Sequence, residues 1–115
     1  NSCKEVDGNG DKQWERDFPW SQELQRANRE YFGLTTFRKN QLQVINCTMS
    51  KSDCLVLMPT GGGKSLCYQL PATVDPGVTV VVSPLVSLIQ DQIAHLEVAG
   101  INATCFDPND YAQNQ

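Results

Sequence analysis

Positive charge is scarce where a nucleic-acid surface would want it. Nine Lys and Arg stand against thirteen Asp and Glu, a net charge of −4, and residues 51–115 carry only Lys51 and Lys64 against six acids. A partner held by a broad basic face is therefore excluded, and any DNA contact has to rest on specific groups. No apolar run approaches the ~18 residues that cross a bilayer, and no secretory apolar segment is present, which speaks against a membrane-spanning or exported class. A C-x-x-C pair is also missing. The five cysteines (Cys3, Cys47, Cys54, Cys67, Cys105) are odd in number, and three lie in runs that read as buried elements. That pattern argues for packed, reduced thiols in a reducing compartment rather than a zinc or disulfide framework.

What is present is enough for one modest core: 115 residues, 40% of them hydrophobic, too few for two domains. The chain opens on Asn1 rather than Met and closes on the polar run 109–115. The expectation is a segment of a longer protein.

The organising stretch is Met58-Pro59-Thr60-Gly61-Gly62-Gly63-Lys64-Ser65, between the apolar run Cys54-Leu55-Val56-Leu57 and a short segment ending at Pro71. Strand, glycine loop, helix is the pattern. Three glycines can take positive φ without a Cβ penalty, so the loop can turn successive N–H groups toward a phosphate. Lys64 can reach the β- and γ-phosphates, Ser65 can ligate Mg²⁺, and the positive end of the helix adds to the field. The pattern is G-x-x-x-x-G-K-[ST] with Met58 in place of the first glycine, a departure frequent in nucleic-acid motor proteins. A glycine-rich surface turn is the alternative, and the flanking strand and helix oppose it.

Taken in order, residues 1–17 are polar apart from Val6 and Trp14 and read as a disordered or loosely tied lead-in. Phe18-Pro19-Trp20 reads as a packing anchor, with Ser21 as N-cap of a helix through Phe32 closed by Gly33. A second helix spans about 37–50, with Leu42, Ile45 and Met49 on one face and Thr35 and Thr36 as caps. After the Asp75-Pro76-Gly77 turn, the unalternated run Val78-Thr79-Val80-Val81-Val82 predicts a strand buried on both faces. Leu85, Leu88, Ile89, Ile93 and Leu96 predict a helix ending at Gly100, and 103–106 a further strand. The expected fold class is α/β: a P-loop domain with a parallel sheet and flanking helices over 18–106, a helical and loop lead-in before it, and a disordered polar tail over 107–115.

Gln41 stands some 20 residues before the loop, where the chain can fold back over a nucleotide. Its amide can pair at two points with adenine N6 and N7, and Arg38 can stack or pair near base or phosphates. A solvated helix residue is the other reading of Gln41, and the residues alone leave both open.

Phe37-Arg38-x-x-Gln41, then Leu57 through Ala72 (LMPTGGGKSLCYQLPA), then Val82-Ser83-Pro84-Leu85 through Gln92 resemble three consecutive motifs of the RecQ family, superfamily two DNA helicases. The lead-in from Trp14 to Trp20 is similar to that of eukaryotic members, and the likeness covers about 14–106. The resemblance implies a partial RecA-like P-loop domain over 18–106 and an ATP-dependent 3′ to 5′ DNA helicase acting in the nucleus in replication, recombination and repair, with ATP and Mg²⁺ as cofactors and single-stranded and forked DNA as partner. It implies adenine reading by Arg38 and Gln41, and phosphate and magnesium binding by Thr60, Gly61, Gly62, Gly63, Lys64 and Ser65. Lys64 is the catalytic residue on this reading. Leu34 falls where some relatives carry a base-stacking aromatic. The resemblance also implies DNA contacts at Ser83, Pro84, Leu85, Ser87 and Gln92, where hydroxyls and helix N–H groups hold phosphates without lysine; a plain turn or solvated helix face is the competing reading there. The Asp-Glu motif and the arginine finger that the family's chemistry needs are not in these residues. A truncated, inactive nucleotide- or DNA-binding module is therefore a second reading. A small-molecule P-loop kinase is a third, opposed by Met58 and by the want of lid arginines.

Overall fold

The computed structural model describes residues 3–5, 12–58 and 63–105. They fall into two compact units, residues 1–79 and 80–115.

The first unit is organised by three helices. In α1 (Ser21–Phe32), Leu24 and Ala27 are buried on one face, and Gly33 closes the helix at φ 66° with its N–H on Arg29 O. A side chain would be strained at that φ, which is why a glycine ends the helix cleanly. Helix α2 (Gln41–Met49) begins later than its periodicity suggests. Asn40 takes φ 71° just before it and makes no side-chain cap bond, so residues 37–40 form the entry rather than a first turn. Asn is among the few residues that visit this region at modest cost. Helix α3 (Leu66–Val74) runs through Pro71. The proline sits six positions into α3, yet the last turn persists through Asp75 N–H to Pro71 O at 2.8 Å. Leu24, Ala27, Ile45, Leu66 and Leu70 make one core, with Trp20, Tyr31, Phe32, Phe37, Met49 and Val74 packed around it. At roughly 25 cal/mol per Å² of apolar surface, this shared core stabilises helices that are individually too short to persist in water.

Strand β2 (Asp53–Leu55) carries the chain into the glycine loop. Its partner is β1 (Cys3–Glu5), paired in parallel with Cys3 opposite Asp53 and Glu5 opposite Leu55. A single helical turn at Lys12–Trp14 follows, and Trp14 is buried. The lead-in thus departs from the expected loose segment at 3–5 and at 12–14. Backbone pairing and one large indole hold it, neither of which a polar composition signals.

The second unit contains α4 (Val86–Val98). Here two expectations are corrected. The run Val78–Val82, which spans the junction of the two units, joins no ladder among the described residues, and Val78, Val80 and Val82 are 92%, 80% and 92% exposed. Residues 103–105 likewise form no strand, and Phe106 lies outside the described residues. The apolar stripe of α4 buries none of its residues. A strand buried on both faces needs neighbours in the ladder and helices over it, and β propensity supplies neither. The described sheet is the two-stranded pair of β1 and β2.

Candidate nucleotide site

The site is assembled where α2 and α3 meet at Gly63. Gln41, first residue of α2, is only 3% exposed. Its Oε1 accepts from the Arg38 N–H at 2.7 Å and its Nε2 donates to Gly63 O at 3.1 Å. The first bond closes a tight loop over Arg38–Gln41 and fixes the side chain. The second carries α2 across to the glycine loop, 22 residues on. Burial at this level rules out the solvated-helix alternative for Gln41.

Gly63 stands at φ 82°, and a Cβ there would meet Gln41 Nε2 at 2.1 Å. Only glycine fits, on both counts. Its carbonyl also accepts the Cys67 Sγ–H at 3.8 Å. Burial pushes the Cys67 thiol up to about 11, so it remains a protonated donor at neutral pH. The end of the loop is thereby held from both helices.

Ser65 occupies the N-cap position of α3 (φ −61°, ψ −38°), with Gln69 N–H on Ser65 O at 2.9 Å. Lys64 is exposed and lines a cavity of about 240 Å³ with Val44, Thr48, Cys54, Val56, Cys67 and Tyr68. That volume falls below the ~300–1,000 Å³ common for ligand pockets and its walls are mostly apolar, so the cavity itself is not suited to hold an anion. The Cys67 and Tyr68 N–H groups at the start of α3 are taken up by Lys64 O and Ser65 O at 3.1 and 3.2 Å, so what makes the neighbourhood of Gly63–Ser65 attractive to a phosphate is the Lys64 ammonium and the positive end of the α3 dipole. The Ser65 hydroxyl is an oxygen donor of the kind Mg²⁺ takes.

Of the expected site residues, the structure brings together Arg38, Gln41, Gly63, Lys64 and Ser65. Thr60, Gly61 and Gly62 lie outside the described residues. Leu34 is 43% exposed. Ser83, Pro84, Leu85, Ser87 and Gln92 belong to the second unit. Ser83 Oγ there accepts the Leu85 N–H at 3.5 Å, Leu85 O accepts the Ile89 N–H at 3.2 Å, and Pro84, Leu85 and Ser87 are exposed. Cys47, Cys54, Cys67 and Cys105 are free of disulfides, and no His, Cys, Asp or Glu cluster suited to a metal occurs among the described residues. No helix there is long and apolar enough to cross a membrane.

Two buried polar residues escaped the sequence reading, Asn28 in α1 and Asn46 in α2, and the more fully enclosed is Asn46. The signal was a lone amide inside the apolar string Val44-Ile45-Asn46-Cys47, downstream of indoles that need an acceptor.

A strand leading into a glycine loop, a lysine and serine opening a helix, and a glutamine clasped to the loop define a P-loop nucleotide-binding domain. The family model for DEAD/DEAH box helicases matches residues 38–111. The chain is 54% identical over 100 residues to "ATP-dependent DNA helicase Q-like 4B" of Arabidopsis thaliana, covering 86% of this chain and 9% of that protein. It is 55% identical over 87 residues to "RecQ-like DNA helicase BLM" of Xenopus laevis (76% and 6%), and 49% identical over 102 residues to "ATP-dependent helicase SGS1" of Saccharomyces cerevisiae (85% and 7%). The chain belongs to the DEAD/DEAH box helicase family, with the RecQ-type helicases, and so carries part of a RecA-like α/β domain. It spans less than a tenth of the length of each of these three relatives.

Proposed function

We propose that this chain is the ATP-binding part of a RecQ-type 3′ to 5′ DNA helicase that couples ATP hydrolysis to DNA unwinding in the nucleus, in replication, recombination and repair. The observation that carries the reading is the clasp of Gln41 on Gly63, which brings a two-point amide beside the residues suited to phosphate. Gln41 keeps one N–H and one lone pair beyond the bonds it makes, so it can offer a donor and an acceptor to adenine. Lys64 pairs with the β- and γ-phosphates, while Gly63 and the α3 N-terminus supply backbone N–H groups. Ser65 holds Mg²⁺, which neutralises phosphate charge when bound. Thr60, Gly61 and Gly62 complete the loop. Arg38 faces the base or phosphates.

Ser83, Pro84, Leu85, Ser87 and Gln92 contact single-stranded or forked DNA through hydroxyls and helix N–H groups, which suits an acidic chain. A binding module without turnover is the second reading, favoured for the isolated chain by the exposed valines.

Titration of Mg-ATP and Mg-GTP tests the proposal. Lys64→Ala should weaken ATP binding by about 1.5–3 kcal/mol, the value of a charged hydrogen bond. Gln41→Ala should remove a preference for ATP of about 1–3 kcal/mol. Equal ATP affinity in the unaltered chain and Lys64→Ala would show that the loop is not a phosphate site.

A further inference from the structure

We infer that Asn46 and Trp20 are positioning residues for base recognition: by pinning the aromatic lead-in to α2, they set where Gln41 presents its amide. The inference rests on the adenine-reading role proposed above for Gln41.

Helix α2 has nine residues and starts on Asn40 at φ 71° without a side-chain cap. A helix that short does not hold its own position or ends, so its placement comes from what packs on it. On one side lie α3 and the core through Ile45. On another lies the lead-in, and its contact is polar and enclosed. Trp20 Nε1 donates to Asn46 Oδ1 at 2.9 Å, and Asn46 Nδ2 donates to Trp14 O at 2.8 Å. Asn46 is 0% exposed. One amide thus ties together an indole and a backbone carbonyl 26 and 32 residues upstream.

The lead-in that it grips is itself stiff. Phe18 stacks on Trp20 at 4.8 Å and 7° and faces Trp14 at 6.5 Å and 15°, and the Arg16 guanidinium lies 4.8 Å from the Phe18 ring centre. A buried amide bonded at both ends tolerates neither rotation nor sliding of α2, because either motion strands a donor or an acceptor away from water. Residues 41 and 46 are about 140° apart around the helix and about 7.5 Å along it. Asn46 therefore anchors one side of α2 while Gln41 faces Gly63 from another, and a shift at the anchor becomes a shift of the Gln41 amide. Two-point pairing with a base depends on angle and is lost well before general nucleotide affinity.

The test is calorimetric titration of Mg-ATP and Mg-GTP against the unaltered chain, Trp20→Phe, Asn46→Ala and Gln41→Ala, each with its thermal denaturation. Trp20→Phe keeps an aromatic ring on Phe18 and deletes the indole N–H together with its pyrrole ring, and because the nucleotide ratio is read beside the melting temperature it decides the matter if Asn46→Ala does not fold. The expected result is an ATP-to-GTP affinity ratio reduced about threefold or more in Trp20→Phe, with the larger loss for ATP. A merely structural contact would lower the melting temperature, or weaken both nucleotides equally, and leave the ratio unchanged; that result overturns the inference. An unaltered chain without ATP preference, or a Gln41→Ala variant that keeps it, overturns the adenine reading itself and the inference with it.

Discussion

An added methyl at Gly63 would meet two obstacles at once, φ 82° and a Gln41 Nε2 only 2.1 Å away. Gly63→Ala should therefore cost about 1–3 kcal/mol of stability and displace the Gln41 amide, read as a lower denaturation midpoint together with reduced ATP preference. A variant as stable and selective as the parent would mean that the loop is not held as described. At Cys67 the prediction concerns pH. The ordinary thiol value is 9.0 and the folded one about 11, so the unfolded chain releases its proton first on raising the pH. The stabilising contribution is complete below about pH 9 and is lost through pH 9–11. Urea midpoints measured across that window should fall, and Cys67→Val should flatten the fall. At this scale the glycine loop was legible because its chemistry is local. Gln41 was open between two readings because only docking decides which face of a helix is wet. Asn46 escaped because one partner, Trp14, lies in a segment that composition marks as loose, and the other, the anchor Trp20, carries no sequence sign of where its N–H docks.

The helices were legible to the degree that their ends are set locally. Helix α1 runs from Ser21 to Phe32 and stops at Gly33, as periodicity and the glycine predict. Ser21 serves differently from a plain N-cap: it is the first helical residue, and its Oγ accepts the Phe18 N–H at 2.8 Å, tying the helix to the aromatic lead-in. Helix α2 starts four residues late because Arg38–Asn40 form the turn that brings Gln41 to Gly63. Strands were the least legible elements, since they exist only with a partner. Val78–Val82 has the composition of a central strand without the ladder, and Cys3–Glu5 has the ladder without the composition. Hence Val80→Lys, on an exposed segment outside any ladder, should leave stability within about 0.5 kcal/mol and reduce association seen by light scattering. Ile45→Ala, in the shared core of the helices, should instead cost about 2–5 kcal/mol by urea denaturation. Similar losses for the two variants would mean that the valine run is packed.

For the molecule as a whole, the RecA-like class followed from a few dense motifs, whereas the sheet that completes such a domain depends on neighbours that the described residues do not supply. The same holds for turnover. Hydrolysis needs a positioned water and compensation of charge on the γ-phosphate, and an arginine finger alone contributes on the order of 10³–10⁵ in rate. On the proposed reading the residues gathered here bind and orient: Gln41 toward the base, Lys64 and the α3 N-terminus toward phosphates. The 115-residue chain should therefore bind ATP and release no phosphate above background, with or without single-stranded DNA. Phosphate release that Lys64→Ala abolishes would show that these residues complete a catalytic site after all.

The most direct test of the nucleotide site is a ¹H–¹⁵N correlation spectrum of the labelled chain recorded while Mg-ATP is added. The account predicts that the backbone amides of Gly63, Lys64 and Ser65 and the side-chain NH₂ of Gln41 shift together with one saturation curve, and that Lys64→Ala removes the response. Shifts confined to other residues, or a Gln41 amide that stays unmoved at saturation, would contradict it.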